Sequence, residues 1–359
     1  MKLCLVCHKY GVLLGDACCY PLGFMYVSSM LKSQGHEVKV LNYNLYDFDF
    51  VEEVKDQDMV MFTGFEEFAL QIVRDAKICK EIGITTVLGG ALATFIPQTM
   101  GKYVDKLCIG EFEETSNFDQ IPWPDYEGFG IDEYHRRHEA RYMGVLTSRG
   151  CPFKCTFCVQ TCRFRQRKLE KVFGEIQYYK SKYKIDTVVF NDNTLNVSKA
   201  RFMKICWWMK GRGLSWSAAI RCDVFDEEMA KAAKESNCAY FVVGVESFMQ
   251  SKLDKMNKRI KIKDIYKTLD LLHKYGIKYY GNILLGFEDE TYLNIATEVN
   301  KVPRKYNVFP TLVQPFVGTN NGAIRLLTDD EVTSLNTNFS EYALSKNMHQ
   351  YSATDLRSN

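Results

Sequence analysis

A chain of 359 residues is long enough for two domains, and 46% apolar with 25% charged residues is the ordinary balance of a soluble globular protein. A formal net charge of +2, from 46 basic and 44 acidic residues, offers no basic field for nucleic acid, and no apolar run is long enough to span a bilayer. The run from Met1 to Val6 is too short for a signal peptide and lacks its cleavage pattern, so a cytoplasmic location is expected, with the 13 cysteines reduced and serving a metal site.

Leu3-Cys4-Leu5-Val6 opens the chain as a short apolar run. Leu22 to Leu31 has helical spacing and stops before Gly35-His36, and Glu37 to Leu41 follows as a strand. Met59 to Phe62 leads into Thr63-Gly64, a helix is predicted from Glu67 to Glu81, Thr86 to Leu88 ends in Gly89-Gly90, and Lys106 to Ile109 closes the series. Strands alternating with helices imply an α/β domain over residues 1–115, a flavodoxin-like or Rossmann-like parallel sheet covered on both faces. Each glycine alone reads as a turn, but glycines at the carboxyl ends of strands leave room for a ligand. Thr63, Gly64, Gly89 and Gly90 are therefore candidate binding residues. His8 stands just beyond the first strand, three residues before Gly11. The same spacing to a glycine recurs in His273-Lys274-Tyr275-Gly276 inside a predicted helix, so the spacing alone does not decide.

Residues 116–140 change in character, with Ile121-Pro122-Trp123-Pro124 followed by a polar stretch, and are expected to be a linker. His135 and His138, in a charged run with Arg136 and Arg137, are expected on a solvated surface. From 141 to 318 the alternation resumes. Strands are predicted at Met143–Thr147, Thr187–Phe190, Ser215–Ile220, Ala239–Val243, Lys278–Leu285 and Val308–Val313. Helices are predicted at Leu169–Lys182, Lys199–Arg212, Asp226–Ser236, Lys263–Tyr275 and Glu290–Lys305. Six repeats imply a partial (β/α)6 barrel with its function at the carboxyl ends of the strands. Asp226 is suited to cap its helix, with Glu227 and Glu228 favouring the dipole. Trp216, Tyr240, Tyr279 and Tyr280 fall on strands, where aromatic residues are more often core than recognition elements. Residues 319–359 form a short, mostly polar tail.

Behind the first barrel strand stands Cys151-Pro152-Phe153-Lys154-Cys155-Thr156-Phe157-Cys158. Three cysteines at C-x3-C-x2-C offer three thiolates to three irons of a [4Fe-4S] cluster and leave the fourth iron open. Structural zinc wants four ligands, usually as two C-x2-C knuckles, and only the lone Cys162 follows nearby. Packing as small apolar residues is the remaining alternative.

This loop, with the aromatic Phe157 before the third cysteine, resembles the cluster loop of the radical S-adenosylmethionine (radical SAM) enzymes. The resemblance implies that S-adenosyl-L-methionine (SAM) chelates the open iron through its amino and carboxylate groups and is cleaved to a 5'-deoxyadenosyl radical. The strand ends agree. Asn191-Asp192-Asn193, Arg221 with Asp223, Gly244-Val245-Glu246-Ser247 and Gly286-Phe287-Glu288-Asp289-Glu290-Thr291 resemble the family's D-N, R-x-D, G-x-E-S and L-G-x-P-x-E-T, the last without its proline. Gln314 to Thr319 resembles its P-F-P-G-T ending, with Val317 for the second proline. A zwitterion in a barrel mouth needs a carboxylate or amide for its ammonium and a cation for its carboxylate, and Glu246 and Arg221 supply that pattern. An ion pair between these two is the alternative. Phe157 and Val159 are expected against the adenine, and Asp192 and Asn193 toward SAM or substrate. Family precedent for a cavity cysteine acting as acid or covalent partner singles out Cys162 and Cys222, whereas Cys206 and Cys238 read as packing residues.

In the first domain, Pro21-Leu22-Gly23, Leu88-Gly89-Gly90-Ala91 and Ile109-Gly110-Glu111-Phe112-Glu113-Glu114-Thr115 together resemble the cobalamin (B12)-binding domain found ahead of the barrel in one large radical SAM subfamily. Many other cobalamin proteins supply an axial histidine from D-x-H-x-x-G. Here Val6-Cys7-His8-Lys9-Tyr10-Gly11 keeps the histidine and glycine without the aspartate, and a histidine ligand usually has a carboxylate behind it. The subfamily commonly lacks the motif. The resemblance implies a cobalamin-dependent methyltransferase acting on an unactivated carbon, or alternatively cyclisation, rearrangement or other deoxyadenosyl-radical chemistry without methyl transfer. It also implies an electron donor such as flavodoxin or ferredoxin, and a substrate among small molecules, lipids, tetrapyrroles and peptides.

Overall fold

The computed structural model describes residues 1–9, 20–112, 117–138, 140–159, 162–287 and 290–312. Gly11, the 113–115 end of the third glycine phrase, Glu288 and Asp289, the 314–319 ending and the tail lie outside them. The described residues divide into two compact units, one within 1–140 and 159–171, the other within 141–158 and 172–312.

The first unit is built on strands β1 (Lys2–Cys7), β2 (Glu37–Asn42), β3 (Met59–Thr63), β4 (Thr85–Gly89) and β5 (Lys106–Leu107). All are parallel in the order β2-β1-β3-β4-β5, the flavodoxin-like order expected. Strand β1 lies inside the sheet and Leu3 to Cys7 is buried throughout, which is why it reads as a continuous apolar run rather than an alternating one. The helices are α1 (Leu22–Ser33), α2 (Phe50–Val54), α3 (Ala69–Glu81), α4 (Gly90–Phe95), α5 (Pro97–Met100) and α6 (Ile131–His138). Ile72, Ala76 and Cys79 of α3, at helical spacing, pack with Val6, Val60, Phe62 and Leu88 of the sheet.

Two expectations change here. Residues 117–138 are folded into this unit rather than strung out: Phe118, Ile121, Tyr126, Phe129, Ile131 and Tyr134 are all buried. His135 is buried too, only 7% exposed, because it shares the inner face of α6 with Ile131 while Arg136 and Arg137 pair outward with Glu133. A charged run on a short helix conceals which residue of each turn points inward.

The second unit holds β6 (Tyr142–Val145), the two-residue β7 (Ser148–Arg149), β9 (Thr187–Phe190), β10 (Ser215–Arg221), β11 (Cys238–Glu246), β12 (Lys278–Leu285) and β13 (Val308–Leu312); β8 (Arg165–Gln166) falls in the first unit. Six strands form one parallel sheet in the order β13-β12-β11-β10-β9-β6, the partial barrel expected. Between them run α7 (Leu169–Tyr183), α8 (Lys199–Met209), α9 (Glu227–Glu235), α10 (Gln250–Lys255), α11 (Ile262–Lys274) and α12 (Tyr292–Lys301). Asp226 caps α9, accepting from the Met229 amide at 3.0 Å. Trp216 is fully buried among Phe190, Phe202 and Phe241, and its indole donates to the Ser236 carbonyl at 3.0 Å. Tyr279 is also buried. Tyr240 and Tyr280 are half-buried and their rings stack 6.1 Å apart.

Candidate functional site

At the carboxyl end of the barrel sheet, Asp192 anchors the start of the cysteine loop. Its buried carboxylate accepts the Thr147 amide at 2.6 Å, the Thr147 hydroxyl at 2.6 Å and the Ser148 hydroxyl at 2.5 Å. Burial raises its pKa, and the hydrogen bonds from Ser148 and Thr147 work against that rise. Gly150, at φ +70°, then turns the chain into Cys151. Thr194, two residues past Asp192, brings its hydroxyl 3.8 Å from the Cys151 sulfur. Asn193 is exposed.

The same loop is held from its other side by the segment after α10. The Thr156 amide donates to the Met256 carbonyl at 3.0 Å, and the Asn257 side-chain amide donates to the Lys154 carbonyl at 2.7 Å. Asn257 and Arg259 adopt φ +49° and +58°, left-handed values that asparagine tolerates better than most residues. Lys258 between them is buried. Its ammonium meets Glu246 Oε1 at 2.7 Å and lies 5.6 Å from the centre of the Phe157 ring. Burial alone would lower the Lys258 pKa, but the Glu246 carboxylate outweighs it and holds the ammonium above its ordinary value.

Glu246 and Arg221 do not pair with each other. Glu246 ends β11 at φ +64°, where the register with β12 shifts between Val243 and Glu246, and it faces Lys258. Left-handed backbone at a residue other than glycine costs about 1–2 kcal/mol, and such positions cluster at functional sites. Gly244 makes room for the pair, since a β-carbon there would sit 2.8 Å from the Lys258 nitrogen. Arg221, 4% exposed, forks onto Asp223 with both contacts at 3.1 Å. The Arg221 backbone is fixed by Asn196, whose side chain exchanges two 2.9 Å hydrogen bonds with it.

Cys151, Cys155 and Cys158 are all half-buried. The Cys158 thiol is pushed up to about 11 by burial and then by the neighbouring Cys155 and Cys151. Among the described residues no three His, Cys, Asp or Glu side chains converge as ligands of one ion. A cluster does not require that, because each thiolate takes a different iron. Three grouped thiols with Arg221 and Lys258 beside them suit an anionic thiolate-bound cluster. Cys222 is buried, its thiol donates to the Gly244 carbonyl at 3.9 Å, and burial pushes it up to about 12. Val159 and Cys162 group with the first unit, both half-buried. Cys206 and Cys238 are buried, as packing residues should be.

The first unit has its own cleft, of about 300 Å³, at the carboxyl ends of β1, β3 and β4 and the start of α1. It is lined by Cys7, His8, Pro21, Thr63, Gly64 and Gly90 among others. Gly90 has φ +75°, and a β-carbon there would lie 2.4 Å from the Thr63 hydroxyl, so only glycine permits this close approach. Gly89 precedes it as the last residue of β4. His8 is 6% exposed; its Nε2 meets Asp75 Oδ2 at 2.9 Å, and its buried Nδ1 has no hydrogen-bond partner among the described residues. The carboxylate absent from the strand-end motif is thus supplied by α3, 67 residues away. A glycine-walled cleft with a carboxylate-oriented imidazole and one uncommitted ring nitrogen fits a cobalt cofactor of this kind.

Asp75 and Lys258 were not legible as site residues. Asp75 sits on a helix whose sequence signal is its apolar periodicity, and Lys258 in a short connection with no pattern.

Comparison with known proteins gives a family match for each of the two domains. Residues 145–298 match the radical SAM superfamily, and residues 14–117 match the B12 binding domain. An uncharacterised methyltransferase of Pyrococcus horikoshii is 28% identical, over 83% of this chain and 77% of its own length. The bacteriochlorophyllide d C-12(1)-methyltransferase of Chlorobaculum tepidum is 23% identical, over 83% of this chain and 72% of its own. Among solved structures, the radical SAM methyltransferase TsrM of Kitasatospora setae superposes with a TM-score of 0.72 at 18% identity, covering 89% of this chain and 74% of TsrM.

Proposed function

This chain belongs to the radical SAM superfamily and carries a B12 binding domain ahead of the radical SAM domain, and from that premise we propose that it is a cobalamin-dependent methyltransferase acting on an unactivated carbon. The observation that carries the reading is the coexistence of two built sites in one chain: the cation-flanked thiol loop of the barrel and the glycine-walled cleft with His8. When bound, the [4Fe-4S] cluster supplies the electron that cleaves SAM, and cobalamin carries the methyl group.

The chain's own residues divide the work. Cys151, Cys155 and Cys158 hold the cluster, Asp192 and the 256–258 segment hold their loop, and Phe157 and Val159 take the adenine. Glu246, presented by its left-handed backbone at a strand end, takes the SAM ammonium or ribose, and Asn193 is exposed for substrate. Thr63, Gly64, Gly89 and Gly90 admit cobalamin and His8 faces it. Among the described residues no helix is long and apolar enough to cross a membrane. A cytoplasmic enzyme supplied by a flavodoxin or ferredoxin fits this chemistry. Similarity to a bacteriochlorophyllide methyltransferase makes tetrapyrroles the first substrate class to screen, before lipids and peptides.

The test is the visible spectrum, iron and cobalt content of protein purified without oxygen from cobalamin-supplied cells. About four irons, the content of one cluster, with near-stoichiometric cobalt supports the reading. Iron without cobalt after cobalamin is added back refutes methyl transfer. Turnover yielding 5'-deoxyadenosine without S-adenosylhomocysteine would instead establish radical chemistry lacking a methyl step.

A further inference from the structure

We propose that Arg221 serves the cluster loop rather than the carboxylate of SAM: it is a positioning residue that donates to the Cys155 sulfur and holds the cluster at a higher reduction potential. This rests on the radical SAM reading and changes the role that the barrel-mouth charge pattern assigns to Arg221.

The argument begins with the donors. A guanidinium has five N–H groups in a fixed fork. Nε and Nη2 are spent on the Asp223 carboxylate at 3.1 Å each, Nη2 also donates to the Lys258 carbonyl at 2.8 Å, and Nη1 points at the Cys155 sulfur at 3.8 Å. The plane of the fork lies on Phe153, inside the cysteine loop, with its central carbon 3.6 Å from the ring centre. Asn196 clamps the backbone of the same residue. A side chain 4% exposed and committed on four contacts has no second fork to offer a carboxylate.

What it does offer is a hydrogen bond from a cation to a ligand sulfur. Hydrogen bonds to cluster sulfurs and local charge set reduction potential. Withdrawing electron density from Cys155 stabilises the form with one more electron, so removing the donor lowers the potential. Asp223 keeps the fork oriented, and Phe153 makes the loop itself part of the support.

The experiment uses the full chain with its cluster assembled anaerobically, as wild type, Arg221→Gln and Arg221→Lys. Iron per chain, the midpoint potential of the SAM-free cluster by electron paramagnetic resonance at poised potentials, and the Kd for SAM are measured on each. For Arg221→Gln a tenfold fall in the reduced-to-oxidised ratio is expected, about 59 mV for a one-electron couple. Arg221→Lys, which keeps the charge without the fork, is expected to fall less. SAM affinity is expected to hold in both. An unchanged potential with full iron overturns the proposal, as does a Kd raised about tenfold or more, the loss expected when a charged hydrogen bond to the ligand is removed. If Arg221→Gln takes up no iron, Arg221→Lys decides by the same two readouts; failure of both to load makes Arg221 a folding requirement and overturns the electrostatic role. A wild type without a reducible cluster instead refutes the radical SAM reading itself, and this inference falls with it.

Discussion

Lys252 offers a sharp test of how the strand ends of the barrel are held. Its ammonium, 8% exposed, meets Glu290 Oε1 at 2.5 Å and Glu298 Oε2 at 2.6 Å, and also donates to the Leu284 carbonyl. Glu298 is fully buried and accepts the Ser247 hydroxyl, next to Glu246; Glu290 Oε2 accepts the amides of Gly286 and Phe287 at 2.7 and 3.0 Å. One lysine is therefore shared by two carboxylates that fix the ends of β11 and β12. Lys252→Met keeps the stem and removes the charge, leaving two buried anions 9% and 0% exposed. Breaking one buried pair in this way costs about 3–5 kcal/mol, and a lysine shared by two carboxylates belongs at the upper end. For a folding unit of roughly 150–250 residues, at about 2–4 °C per kcal/mol, that is a fall in Tm of about 10–20 °C. Thermal unfolding of cluster-free protein by circular dichroism measures it. The triple variant Lys252→Met with Glu290→Gln and Glu298→Gln should recover part of the loss, because no unpaired charge remains. A Lys252→Met shift within about 0.5 kcal/mol, the range of ordinary surface substitutions, would refute the reasoning.

Four further outcomes follow from named contacts. Asp226→Ala removes the α9 cap and should cost about 1 kcal/mol in urea unfolding at pH 7. Partial burial opposes ionisation of Asp226, but the hydrogen bonds from Lys199 and the Met229 amide outweigh it and lower its pKa from 3.8. A carboxylate with a depressed folded pKa stabilises above its unfolded value and loses that contribution as pH falls through the folded one. The variant's deficit should accordingly stay constant down to about pH 4 and shrink below it; a deficit growing in acid contradicts the assignment. Gly90→Val places a side chain where a β-carbon already meets the Thr63 hydroxyl, so equilibrium dialysis should show cobalamin binding lost, while iron content stays at the wild-type level. His8 is tested with histidine-15N-labelled protein: nitrogen splitting in the paramagnetic resonance spectrum of bound cob(II)alamin should change with the label and vanish in His8→Ala. A spectrum indifferent to the label excludes ligation. Asp75→Ala should broaden or weaken the same signal by freeing the imidazole.

Element order, strand direction and the two-part architecture were legible because each depends on local pattern. The run Leu3 to Val6 is apolar at every position because a parallel sheet buries both faces of its inner strands, and α3 repeats its apolar residues at helical spacing because one face meets the sheet. The cysteine triplet is equally local, since one loop must present all three thiols. The segment 117–138 was misjudged for the same reason in reverse. Its prolines and charges carry local signals of a connector, while its burial depends on distant partners, as when Asp125 accepts the Ser28 hydroxyl at 2.6 Å and the Lys32 ammonium at 2.6 Å.

The composition of both sites was decided in three dimensions. Which charge answers Glu246 depends on where the connection after α10 lands, and the sequence offers Arg221 as readily as Lys258. His8 lacks an acid beside it in the chain and receives one from Asp75 across the sheet. Asp192 reads as a ligand-binding acid, yet its hydrogen bonds from Thr147 and Ser148 make it the anchor of the cysteine loop. A sequence states which groups are available within a few residues of one another. Pairing between groups far apart in the chain is settled by packing, because burying each charge requires a partner that only the folded backbone brings within reach.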